Sequence, residues 1–306
     1  MPKTVESAVL SGAYVDLDQL LALRYKSAAQ NPASSSRVVG NRAGLKLSKL
    51  KGRGVDFSEV RTYQPGDDIR TIDWRVTARK NKPHTKIFRE ERERPTLLVV
   101  DQSQQMFFGS KVRLKSVACA DLAARIAWQN LAAGDRVGGI VISNDQQIVH
   151  RPYRTAKAVA RLLNDVSECN QKLKPGNVDS SASVDEGMLR VRRLTRTNFR
   201  IFILSDFAGD LDRWQQHLHQ LARHNQVVLV HIYDPLEQHL PPADHYAVTD
   251  GQSRLQFYTG DHQLRNRYAQ RFAERLETLK QMCQHDAMTY IGVQTDNTNL
   301  DGMVWV

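Results

Sequence analysis

The chain has 306 residues, 41% hydrophobic and 25% charged, a composition that excludes a disordered, collagen-like or coiled-coil polymer and suits one large core with a smaller module beside it. A formal net charge of +10 leaves nucleic acid, an anionic membrane surface and an acidic protein open as partners. Cys119, Cys169 and Cys283 lie far apart, with no CxxC or Cys/His ligand spacing, so they read as reduced thiols rather than a disulfide framework or a zinc site.

The N-terminus lacks a basic region followed by a long apolar run, and no stretch approaches the roughly 18 apolar residues of a membrane span. The expectation is a cytoplasmic protein without a transmembrane segment, able to touch a membrane complex only from its surface. Residues 1–12 read as weakly ordered. Asp16–Ala29 reads as a helix capped by Asp16 or Asp18, with Leu17, Leu20, Leu21 and Ala28 as its apolar stripe. A Pro/Ser/Gly/Asn-rich connector follows, so 1–42 is a helix and linker.

Residues 43–94 have another texture, dominated by Gly, Arg and short β-like pieces. Strands are predicted at Val55–Tyr63 and His84–Glu90, with a turn at Gln64-Pro65-Gly66-Asp67. From residue 95 to 306 apolar runs alternate with helical patterns. Thr96–Val100 is a strand ending in Asp101, Val112–Leu131 a helix, Arg136–Ile142 a strand and Gln146–His150 its antiparallel partner. Helices follow at Thr155–Glu168 and Val184–Leu194. Then come a strand at Phe199–Leu204 ending in Ser205-Asp206, a helix at Asp210–His224, a strand at Val227–Tyr233, a helix at Asp261–His285 and a strand at Met288–Val293. This alternation predicts an α/β fold: an open, mostly parallel sheet with one antiparallel strand and helices on both faces. Such sheets bind ligands at the carboxyl ends of their strands, where Asp101 and Asp206 are placed.

Two features are diagnostic together. One is the string Arg53-Gly-Val-Asp-Phe57, Val60-Arg-Thr-Tyr-Gln-Pro-Gly-Asp-Asp-Ile-Arg70, Ile72-Asp-Trp74 and Ala78-Arg79; the other is the apolar strand ending in Asp101-Gln-Ser103. The sequence resembles the "domain of unknown function 58" family, departing mildly at Asp56, where the family usually has Glu. The resemblance implies a von Willebrand factor type A-like domain behind a small β-containing N-terminal module. It implies a non-enzymatic adaptor that acts with a MoxR-type AAA+ ATPase, and with other von Willebrand factor type A proteins, in assembling or maturing protein complexes.

The resemblance also implies a degenerate Mg²⁺ site. Asp101, Ser103 and Asp206 match its acidic and hydroxyl ligands. Gln105 stands where a second Ser is usual. Ser183 takes the place of a Thr just before a helix, keeping the hydroxyl. The competing reading has Asp101 and Asp206 bonded to loop amides and Ser183 capping the helix after it.

In the signature string, Arg61, Arg70, Arg75 and Arg79 are set among Asp67, Asp68 and Asp73, with Tyr63, Gly66 and Trp74 between. Catalytic use of the carboxylates conflicts with arginines that would hold them ionised. An Arg–Asp network fixing the module is expected, and the sharper alternative is a partner-docking surface anchored on Trp74 and Tyr63. Basic residues cluster at Lys46, Lys49, Lys51 and Arg53, and again at Arg75, Arg79, Lys80, Lys82 and Lys86, without any nucleic-acid-binding motif. An acidic protein partner explains them equally well. His217 and His219 fall on opposite sides of a helix, and His224 and His231 fit no ligand spacing. No GxxxxGK[ST], complete GxGxxG or GxSxG occurs, so neither nucleotide hydrolysis nor that type of serine hydrolase is expected. A metal-dependent ligand-binding module is the alternative to the adaptor, with nucleic-acid binding behind it.

Overall fold

A computed structural model describes residues 9–28, 55–65, 67–80, 82–90, 94–176, 181–249, 254–284, 287–298, 300 and 305. The chain divides into two compact units, one of residues 1–39 with 94–306 and one of residues 40–93.

The large unit begins with helix α1 (Leu17–Ala28). In the small unit, β1 (Val55–Thr62) pairs antiparallel with β2 (His84–Glu90), with a register shift between Phe57 and Glu59. A 3-10 turn (Ile69–Thr71) and helix α2 (Trp74–Lys80) fill the connection. The basic 46–53 stretch and Gly66 lie outside the described residues.

The large unit resumes with β3 (Thr96–Asp101), α3 (Lys115–Ala132), β4 (Val137–Ile142), β5 (Gln147–Tyr153), α4 (Ala156–Lys172) and α5 (Ser181–Leu194). It continues through β6 (Arg200–Ser205), α6 (Leu211–Ala222), β7 (Gln226–Tyr233) and α7 (Pro235–Gln238). The last elements are β8 (His245–Thr249), β9 (Arg254–Tyr258), α8 (His262–Met282) and β10 (Met288–Gln294). Six strands form one sheet in the order β10-β7-β6-β3-β4-β5; β5 is antiparallel to β4, and every other pairing is parallel. This is the open, mostly parallel α/β sheet with one antiparallel strand that the alternation predicts. β8 and β9 make a separate antiparallel hairpin.

The apolar strands are continuous because both faces are covered. Leu98, Val100, Phe202, Leu204, Val228 and Val230 face the layer holding α1, α3 and α4. Their neighbours Leu97, Val99, Ile201, Ile203, Val227 and Leu229 face Met188 of α5, Trp214 and Leu218 of α6 and Leu279 of α8. α3 is buried on nearly every side, with Leu20 and Leu23 of α1 on one flank and Trp305 on another. Trp128 donates to the Leu20 carbonyl (3.1 Å), and Asn130 donates to the Trp305 carbonyl (3.1 Å) while accepting from Thr96 and Arg200.

Arg113 ties chain segments together. Its guanidinium pairs with Asp121 at 2.6 Å, both side chains fully buried, and donates to the carbonyls of Leu10, Thr295 and Asn297. Gly12 bridges to Arg113, so residues 9–12 of the segment read as weakly ordered are fastened here; residues 1–8 lie outside the described residues.

Candidate functional site

Strand order reverses between β3 and β6: from β3 the chain moves outward to β4 and β5, then returns to lay β6 on its other side. The carboxyl ends of these two strands therefore border a crevice. Asp101 ends β3 and Asp206 follows β6, both buried. Asp101 accepts a hydrogen bond from the Ser103 amide (2.9 Å) on Oδ1 and from the Ser205 hydroxyl (2.7 Å) on Oδ2. Asp206 accepts from the Ala208 amide (3.0 Å) on Oδ1.

The other Asp206 oxygen faces a lysine. Lys115, the first residue of α3, is buried and places Nζ 2.7 Å from Asp206 Oδ2 and 2.8 Å from Glu237 Oε1, with the Phe108 ring centroid 5.8 Å away. Glu237 is held in turn: Asp234 and Glu237 form a reciprocal cap on α7, and Glu237 Oε2 accepts from the Asp234 amide (2.8 Å). Asp234, buried at the end of β7, also accepts from the Ser110 hydroxyl (2.6 Å) and the Thr295 hydroxyl (2.5 Å). The ammonium thus braces three loops, those after β3, β6 and β7.

Burial pushes the Asp101 carboxyl above its usual range, and the negative charge of Asp206 adds to the rise. Burial acts the same way on Asp206, but the Lys115 charge and hydrogen bond and the Ala208 amide outweigh it and hold that carboxyl low. Burial opposes protonation of Lys115, yet Asp206 and Glu237 together drive its pKa up. One ammonium is thus shared between the carboxylates of Asp206 and Glu237.

The loop after β6 is also strained. Phe207, with no solvent exposure, has φ of 50°, a left-handed conformation that costs a bulky residue about 1–2 kcal/mol. Its amide donates to the Ser205 hydroxyl (3.1 Å), its ring packs edge-on to Trp214 at 4.9 Å, and Arg275 donates to the Phe207 and Gly209 carbonyls.

Asp101, Ser103 and Asp206 come to one crevice. The Ser103 hydroxyl is buried beside the Asp101 carboxyl, close enough to lower its pKa but without the geometry of a hydrogen bond. Gln105 sits half-buried in a 3-10 turn (Gln104–Met106). α5 opens at Ser181, so Ser183 lies within its first turn rather than ahead of it; its side chain lies outside the described residues. Among the described residues no group of three His, Cys, Asp or Glu is placed to hold a metal ion. Asp206 Oδ2 already accepts from the Lys115 ammonium, whose positive charge opposes a divalent cation at that carboxylate. Lys115, Ser205, Asp234 and Glu237 were not singled out from the sequence. Asp234-Pro235 followed by Glu237 is a helix-start signature that marks two of them.

In the small unit the signature aspartates serve the backbone. Asp67 pairs with Arg61 at 2.7 Å and accepts from the Gln64 amide. Asp68 accepts from the Arg70 amide at the start of the 3-10 turn, and Asp73 accepts from the Arg75 and Val76 amides at the start of α2. Thr71 and Thr85 join hydroxyls at 2.6 Å. Trp74 and Ile69 are left 67% and 66% exposed, with Arg70, Arg75, Arg79, Lys80 and Lys82 exposed near them in sequence and Tyr63 half-buried.

The family described as "Protein of unknown function DUF58" matches residues 59–278. Uncharacterized proteins of Mycobacterium tuberculosis and Mycobacterium bovis are 28% identical over 263 residues, covering 85% of this chain and 81% of theirs. Among solved structures, the conserved hypothetical protein BatB of Bacteroides thetaiotaomicron superimposes with a TM-score of 0.36 at 14% identity, over 67% of this chain and 92% of that one. The SpRpn10 VWA domain does so with a TM-score of 0.35 at 11% identity, over 66% and 88%. No described helix is long and apolar enough to cross a membrane.

Proposed function

The chain belongs to the DUF58 family, and on that premise we propose that it is a non-enzymatic interaction protein, acting with a MoxR-type AAA+ ATPase in the assembly or maturation of protein complexes. The observation that carries this reading is the state of the signature string. Its carboxylates hold backbone amides and Arg61, while its largest apolar side chain, Trp74, faces solvent. A reaction centre needs polar groups held ready for a substrate; a docking surface needs an aromatic anchor with a charged rim. The exposed Arg70, Arg75 and Arg79 suit a partner with an acidic face. The same surface would serve contacts with other von Willebrand factor type A proteins.

The test is co-purification of the full chain with a MoxR-type ATPase from the same source, followed by an affinity measurement. Trp74→Ala is expected to weaken binding by roughly 30-fold or more, as loss of a central aromatic anchor does, without moving the thermal unfolding midpoint. Failure of the wild-type chain to bind or to alter the ATPase would remove the adaptor reading. Equal binding by Trp74→Ala would remove the assignment of the surface.

A further inference from the structure

We infer that the crevice between β3 and β6 carries its own cation: the Lys115 ammonium stands in for a divalent ion, and the site is complete without metal. Three observations converge. The ammonium lies within 2.8 Å of two carboxylates from different loops, Asp206 and Glu237, and these loops with the one bearing Phe108 are the elements a strand-end ion would tie together. The lysine is itself buried, so its charge is fixed in place rather than borrowed from the surface. The Ser103 hydroxyl, with no exposure, lies beside the Asp101 carboxyl, so the polar groups of the crevice stand next to a cation that the chain itself supplies.

The chemistry separates the two kinds of cation. A Mg²⁺ or Mn²⁺ ion needs about six oxygen ligands and repels an ammonium that shares one of its carboxylates. Lys115 supplies three N–H donors and one positive charge, enough to neutralise part of the acidic set and bond to it directly. It is a positioning residue: it joins the segments after β6 and β7 through their carboxylates. Removing the ammonium would leave the Asp206 and Glu237 carboxylates without the charge that joins them, a gap that an added cation can fill. The inference concerns the large unit alone and does not depend on the identity of any partner.

The experiment uses Mn²⁺ as the probe, with the full chain, its Lys115→Ala variant and its Lys115→Arg variant. Binding is read by the loss of the free-ion EPR signal and by the shift in thermal midpoint against EDTA. The wild type is expected to bind no Mn²⁺ at 1:1 stoichiometry and to show no shift at about 100 times a typical Kd for an exposed carboxylate site. Lys115→Ala is expected to unfold at a lower temperature and to regain roughly 5 °C with either Mn²⁺ or propylammonium, which refills the side-chain space with the same charged group. Lys115→Arg keeps a cation in place and is expected to ignore Mn²⁺. Stoichiometric Mn²⁺ binding by the wild type would overturn the inference. So would a Lys115→Ala chain that is folded, undiminished in stability and indifferent to both additives. Should that variant not fold, the wild-type and Lys115→Arg isotherms decide alone.

Discussion

His231 shows how the crevice bears on stability. It lies on β7 with Nδ1 2.8 Å from the Tyr290 hydroxyl, among the rings of Phe207, Tyr233 and Phe272. Burial pushes its pKa down to about 4; the Asp206 charge works against that shift, and the Lys115 and Arg275 charges add to it. In the unfolded chain the imidazole titrates near its ordinary value of about 6.5. Between those values the unfolded state binds the proton and the native state does not, so stability present above pH 6.5 is lost as pH falls toward 4. The loss is roughly 3 kcal/mol over that window. Urea unfolding at pH 7.0, 5.5 and 4.5 should show this slope in the wild type and a flatter one in His231→Phe. Equal slopes in both would show that His231 is not kept neutral by its surroundings. Lys115 lies opposite in character: it sits in the first turn of α3, where the helix end disfavours a cation, and only Asp206 and Glu237 make the position tolerable.

Between elements, β5 packs closely against β4 at Gly138. A Cβ at Gly138 would lie 2.5 Å from the His150 carbonyl oxygen and 2.6 Å from the Pro152 nitrogen, both backbone atoms, beside the register shift at Val137/Gly139. Gly138→Ala should therefore cost about 2–3 kcal/mol in chemical denaturation, the upper range for overpacking. Gly187→Ala on α5, whose Cβ would meet the end of the Ile142 side chain, should cost less; the reverse order would show that β5 is free to move. The same sheet explains what the sequence made readable. β3, β4, β6 and β7 are covered on both faces and so read as unbroken apolar runs, which placed Asp101 and Asp206 at strand ends. β9 has no buried residue, so Leu255 stands exposed between Arg254 and Gln256 and no alternation announces the β8–β9 hairpin. α2 likewise buries nothing, and α7 spans only four residues. α3 starts three residues later than its pattern suggested because its N-cap, Leu114, has no capping side chain to mark the start. Lys115 and Glu237 are 122 positions apart, and only the topology brings them together.

Across the whole molecule, the two units place their charged side chains differently. The small unit holds its backbone with aspartates and turns Trp74 outward; the large unit gathers buried charges at the switch point of a sheet covered on both faces. The net charge of +10 favours encounter with acidic partners without specifying any one of them. The proposed metal-independent switch point and the proposed docking surface around Trp74 would together make a scaffold whose binding is set by protein contacts. The most direct test is a crystal structure of the full chain grown with excess Mn²⁺, with diffraction recorded at the manganese edge. The result expected is density for the Lys115 side chain between Asp206 and Glu237, with no anomalous peak in the crevice. An anomalous peak bridging Asp101 and Asp206, with Lys115 turned away, would contradict it.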